Sequence, residues 1–253
     1  MAMYAFLDEL RTKEILARDA TKEDKYRRFF CPNPDCDAHL HIVSVDGLVS
    51  AYFKANDKNH PHTNGCYFSK NPKKFTSNKF KEDDFHLEDA LFALTTPTRT
   101  HSKGSNGKVK DGKASLKPPH TISQIYSMCK TYSCKDTYNA FVIGQILLDN
   151  RSFYMYPKGV FGWHVIEAHC KRYYYNQSDN ESVSSEIYLM LSHKDKQYNF
   201  NLQFFDQKLF KQIRSYLHRN RDKTIVVAGK WEFDSKPYTF KTQITSNKQI
   251  TII

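Results

Sequence analysis

Three cysteines and two histidines fall within a short stretch of an otherwise cysteine-poor chain: Cys31-Pro-Asn-Pro-Asp-Cys36, then His60-Pro-His62-Thr-Asn-Gly-Cys66. Thiolate sulfur and imidazole nitrogen are the ligands that Zn²⁺ prefers, and four of them close a tetrahedral structural site with no position left for a substrate water. Cys31, Cys36 and Cys66 with one of the two histidines make a Cys₃His set. His62 is favoured over His60 because His-x-x-x-Cys spacing matches the second half of many zinc knuckles, although spacing alone leaves both open. The expected cofactor is one structural Zn²⁺. The competing reading is three buried thiols without a metal.

Two halves of such a site have to be brought together by the chain between them. Pro32 and Pro34 restrict the first turn, so that Cys31 and Cys36 face one ion. The run His39 to Val45, the pair Asp46-Gly47 and the run Leu48 to Phe53 read as a β-hairpin, since two alternating apolar runs around Asp-Gly are a strong hairpin signal. That hairpin returns the chain to His62 and Cys66. A second four-residue gap, Cys129 to Cys134, could add His120, His169 or Cys170, but no second close pair accompanies it.

On Cys31-Pro32, Cys36, the hairpin through Asp46-Gly47, Tyr52-Phe53-Lys54-Ala55 and His62 with Cys66, residues 15 to 95 resemble the N-terminal zinc-finger region of the competence-protein CoiA-like group. The resemblance implies a zinc fold followed by a nuclease domain, in which clustered carboxylates and a lysine hold a divalent ion. Glu167 with Lys171, and Glu186 with Lys194 and Lys196, are the loose matches to that constellation. A divalent-metal-dependent nuclease is therefore the alternative function. No Gly-x-Ser-x-Gly, Walker A or His-Glu-x-x-His pattern occurs, so the residues themselves favour a binding protein over an enzyme.

The 253 residues carry 38 Lys and Arg against 27 Asp and Glu, a formal charge of +11. That surplus makes an anionic partner the expectation. No apolar run approaches the roughly 20 residues that span a bilayer, so no membrane partner is expected. Six cysteines, half of them in a metal pattern, do not read as a secreted disulfide framework, and a cytoplasmic location is expected. The Lys-, Asn- and Tyr-rich composition suits a bacterium or a mobile element, and an accessory protein binding an acidic protein partner is a further alternative.

Phe85 to Leu94 has helical spacing and is expected to pack on the finger, closing a zinc-binding domain over 1–94. Residues 95–119 lack apolar periodicity and carry Arg99, Lys103, Lys108, Lys110, Lys113 and Lys117, the composition of a basic flexible linker. A short helix from Thr121 precedes a β-prone region beginning at Phe141. Strands are expected at 163–170, 187–191, 198–204, 224–231, 238–244 and 249–253, with an amphipathic helix N-capped by Asp206 among them. Strands, one helix, then strands around a Gly-Lys-Trp turn is the order of an OB barrel, so 120–253 is expected to be an OB-like β-barrel domain. The fold class is α+β, mostly β: a zinc knuckle followed by that barrel. OB domains bind single strands by stacking bases on aromatics and tracking phosphates with cations. Lys171, Arg172, Tyr173 and Tyr175, together with Lys230 and Trp231, are the candidate residues for binding nucleic acid, with single-stranded DNA or RNA favoured.

Overall fold

The computed structural model describes residues 2–47, 50–55, 58–69, 75–97, 116–178 and 183–253, with the backbone alone for 172–174. In chain order the elements are β1 (Tyr4–Phe6), β2 (Glu14–Leu16), β3 (Phe29–Phe30), β4 (His39–Val43), β5 (Tyr52–Ala55), α1 (Leu87–Thr95), α2 (Ile122–Thr131), β6 (Thr137–Tyr138), β7 (Phe141–Val142), α3 (Ile143–Ile146), β8 (Leu147–Leu148), β9 (Gly162–Asn176), β10 (Ser185–His193), β11 (Lys196–Phe204), α4 (Gln207–His218), β12 (Ile225–Phe233), β13 (Thr239–Gln243) and β14 (Ile250–Ile252). They form two compact units. Met1–Glu82 with Ser127–Gly144 makes the first, and Asp83–Tyr126 with Gln145–Ile253 the second.

These boundaries differ from a break at 94 and 120. α1 contacts β9 and β12, and its Leu87, Leu91 and Leu94 are buried. Residues 127–144 return to the first unit, carrying the buried Met128, Cys129 and Tyr138. Periodicity announces an apolar face but not which core receives it. Residues 98–115, with most of the basic linker expected at 95–119, lie outside the described residues.

The first unit is built on a five-stranded antiparallel sheet in the order β2-β1-β3-β4-β5. Alternation along β4 works as the sequence suggests: Leu40 and Ile42 are buried, while His39, His41 and Val43 are half-exposed. β5 is Tyr52–Ala55, with Val43 opposite Tyr52, and the expected start of that run at Leu48 lies outside the described residues. Ser44, at φ 63°, accepts the Gly47 N–H just after β4. Leu40, Ile42, Phe29 and Phe53 share one core with Cys31, Cys36 and Cys66.

In the second unit β9, β10, β11, β13 and β12 form a closed circuit, because β12 pairs back onto β9 over Ile225 to Trp231. All pairings around this five-stranded barrel are antiparallel except β11 with β13, which run parallel. α4 lies in sequence between the third and fourth barrel strands, and the Asp206 carboxylate caps it by accepting from the Lys208 and Leu209 N–H groups. Phe210, Ile213 and Leu217 on α4 join Phe200, Phe204, Ile187, Leu189 and Trp231 in the barrel core. A register shift in the β9–β10 ladder between Ile187 and Leu189 supplies the local bend that closure requires.

Two local expectations are corrected here. Gly229-Lys230-Trp231 is the interior of β12 and not a turn. Phe141 to Leu148 is not a strand: its middle, Ile143–Ile146, is a helical turn between two short strands. A short apolar run interrupted only by Gly144 and Gln145 carries too little period to tell the two apart. Among the described residues no helix is long and apolar enough to cross a membrane.

Candidate metal centre

Cys31 follows β3 directly, and Cys36 closes the Pro-containing turn by donating its N–H to the Asn33 carbonyl at 3.1 Å. His62 and Cys66 come from the segment after β5, where Gly65 at φ 79° lets the Cys66 N–H reach the Thr63 carbonyl at 3.1 Å. That left-handed position is one that glycine occupies without strain. The four ligand atoms lie within 4.8 Å of one another, with the three cysteines buried and His62 half-buried. His60 is outside this group.

The separations match one tetrahedral ion. Bond lengths of about 2.3 Å to sulfur and 2.0–2.1 Å to nitrogen give tetrahedral edges of about 3.8 Å between sulfurs and about 3.6 Å from sulfur to nitrogen. Cys31 Sγ and Cys66 Sγ are 3.7 Å apart, and His62 Nδ1 is 3.4 Å from Cys36 Sγ and 3.5 Å from Cys66 Sγ. A disulfide needs about 2.05 Å, and all six cysteines are free. Without a cation the crowded thiols share protons. Hydrogen bonding to Cys66, reinforced by burial, holds the Cys31 thiol well above its ordinary value, while the same bond and one from His62 pull Cys66 down. A divalent ion held there would replace those protons and relieve the crowding.

Arg11 is a functional residue that the sequence does not announce. Its backbone sits in the left-handed region at φ 56°, in a turn where the Asp8 carboxylate accepts the Thr12 and Lys13 N–H groups. From there the guanidinium donates to the Cys31 carbonyl at 2.9 Å and the Cys36 carbonyl at 2.8 Å. It thereby ties both ends of the Cys31–Cys36 turn together. The Thr63 N–H points at Cys36 Sγ from 3.4 Å, so the sulfurs have backbone partners as well as each other. Only the fold brings Arg11 to carbonyls 20 and 25 residues away.

Among the described residues the second four-residue cysteine gap gathers no comparable group. Cys129 and Cys134 are buried in the first unit, and His120, His169 and Cys170 belong to the second. Burial raises the Cys170 thiol to about 11.

On the barrel, the residues expected to bind nucleic acid are not gathered into one site. Trp231 is 1 % exposed, packs edge-on against Phe200 at 5.2 Å and donates its indole N–H to the His164 carbonyl at 3.2 Å. Its ring faces are core, which corrects the expectation that it stacks on a base. Lys230, its neighbour, points outward into a cleft of about 390 Å³ lined by Trp163, Gln203, Glu232, Lys241 and Thr245. Tyr175 is 45 % exposed, with the Arg214 guanidinium 4.9 Å above its ring. Lys171 is held below its ordinary value by burial and by the nearby charge of Lys236. The side chains of Arg172 and Tyr173 lie outside the described residues.

The carboxylates considered for hydrolysis have other partners. Glu167 accepts from the Tyr126 hydroxyl at 2.9 Å. Glu186 accepts from the Tyr188 hydroxyl and from Asn201 Nδ2 at 2.8 Å, and that same Nδ2 is 3.3 Å from Asp234 Oδ2. No family model, curated protein or solved structure matches the chain.

Proposed function

We propose that this protein binds single-stranded nucleic acid through a zinc-stabilised first unit and an OB-fold second unit. The observation that carries the reading is the barrel's connectivity. Strands one, two, three, five and four close in that order, the third and fifth run parallel, and among the described residues the helix between barrel strands falls between the third and fourth. What supports the OB reading is that this order agrees with the Greek-key connectivity of that fold, whose outer strand faces and loops receive oligonucleotides. The surplus of 38 cationic over 27 anionic side chains supports a polyanionic partner. For the metal, a set of three thiolates and one imidazole favours zinc over the hard, oxygen-seeking cations. Four protein ligands leave no open coordination position, so the zinc is structural and the finger follows the pattern of the CoiA-like group.

Titration of labelled single-stranded DNA and RNA at several salt concentrations tests this. Binding is expected to weaken steeply with salt, because each phosphate contact releases counterions. No binding at low salt, or binding indifferent to salt, removes the reading.

One observation favours a second reading, a divalent-metal nuclease. Glu186 and Asp234 converge on Asn201, whose Oδ1 is buried without a hydrogen-bond partner, so three oxygens are gathered on one barrel face. Cleavage of single strands with Mg²⁺ or Mn²⁺ that disappears in Glu186→Ala supports it. Intact substrate at high enzyme excess counts against it.

A further inference from the structure

We propose that the main contact for single-stranded nucleic acid is on the metal-bearing unit, a basic aromatic face centred on Tyr26. The inference rests on the nucleic-acid reading above and assigns its surface. Tyr26 is 95 % exposed at the end of a 3-10 turn, Lys22–Tyr26. The turn is firmly framed. The Thr21 N–H donates to Asp24 Oδ2 at 2.8 Å and the Thr21 hydroxyl at 3.1 Å, Asp24 is buried, and Phe29 just beyond the turn is wholly buried in the core. The ring is therefore held in water by a fixed backbone with its faces available.

Cations and imidazoles surround it. Lys25, Arg27 and Arg28 flank the ring in sequence, and with Tyr26, His39, His41 and His60 they line a cleft of about 410 Å³. Lys54 stands opposite His41 in the β4–β5 ladder, on the same outer face. Lys25 and Arg27 are paired, to Asp46 at 2.6 Å and to Asp24 at 3.3 Å. Among the described residues no carboxylate pairs with Arg28 or Lys54, which leaves these two to take phosphates. His39 and His60 lie against each other, ring centroids 3.6 Å apart and planes tilted by 32°. Glu9 and Asp37 line a separate cleft beside the same two histidines. Acidic side chains thus stay out of the lining of the Tyr26 cleft.

An exposed ring between cations fits a single strand better than a duplex. Stacking on an aromatic side chain needs a base whose face is open, and in a duplex each face is covered by the next pair. The imidazoles along the floor offer ring nitrogens for base edges. The barrel, by comparison, has turned Trp231 inward, and the Tyr175 ring is overlaid by Arg214.

The test is fluorescence anisotropy with one single-stranded oligonucleotide against the full chain and its Tyr26→Ala, Tyr26→Phe, Arg28→Ala and Tyr175→Ala variants, with bound metal measured on each sample. Tyr26→Ala is expected to weaken binding about tenfold, the loss of one stacked base, with metal content unchanged. Tyr26→Phe should restore it. Arg28→Ala should reduce the slope of log affinity against log salt by about 0.7, one phosphate contact on a single strand. If the wild type binds, Tyr26→Ala binds equally well and Tyr175→Ala does not, the proposal is overturned while the nucleic-acid reading stands. If the wild type binds nothing at low salt, both fall, and the cationic face belongs to an acidic protein partner.

Discussion

The two units solve the same problem of chain closure by different means. In the first, the sheet strands run from two to five residues, and three of the four metal ligands sit within the core cluster itself. In the second, β9 runs for 15 residues, β10, β11 and β12 for nine each, and the centre is filled by Trp231, Phe200, Phe204 and Phe210. Short strands bury little apolar surface, and small folds of this kind commonly rely on a metal or disulfides to make up the difference. A closed barrel has no edges to protect and a continuous interior to fill. The lesson is that the cysteines matter where the strands are short, and the aromatics where they are long.

The comparison breaks most visibly if the metal is removed. Chelation, or Cys36→Ser, should unfold the first unit and leave the barrel folded, since structural zinc contributes about 10–16 kcal/mol to folding in small finger peptides. Amide hydrogen exchange should then show protection lost across 1–82 and 127–144 and kept across β9 to β13. Uniform loss, or none, would contradict the contrast drawn above.

The mirror experiment is Trp231→Ala. Removing a wholly buried indole costs about 3–5 kcal/mol and should lower the barrel's unfolding midpoint with metal content unchanged. Arg11→Ala sharpens the comparison on the other side. With the clamp across the Cys31 and Cys36 carbonyls gone, metal affinity should fall about 10- to 100-fold, as for other residues that orient ligands from behind, and competition with a chelating dye reads this directly. Asp206→Ala should have the smallest effect. Loss of the α4 cap costs about 1 kcal/mol of barrel stability in a denaturant titration and leaves the metal unit untouched.

What could be read from the sequence follows the same division. The three cysteines were legible by residue type and spacing while His62 was one of two candidates beside His60, and α4 was legible because Asp206 and the i, i+3, i+7 spacing of Phe210, Ile213 and Leu217 are local features. The strands of the second unit from β9 to β14 were legible as alternating or apolar runs. Trp231 was ambiguous, because alternation says which residues share a face but not whether that face is the barrel's inside. The Ile143–Ile146 turn was hidden because a four-residue segment is too short to show a helical period. Arg11 and the Tyr26 face could not be seen at all, since each depends on carbonyls or imidazoles brought in from distant parts of the chain.

X-ray absorption at the zinc edge, with metal content determined on the same purified protein, tests the central claim most directly. The account predicts one zinc per chain in a shell of three sulfurs at about 2.3 Å and one nitrogen at about 2.0 Å, and no stoichiometric zinc in Cys36→Ser. Protein that is folded by amide exchange across 1–82 yet holds no metal, or a shell dominated by oxygen, would contradict it.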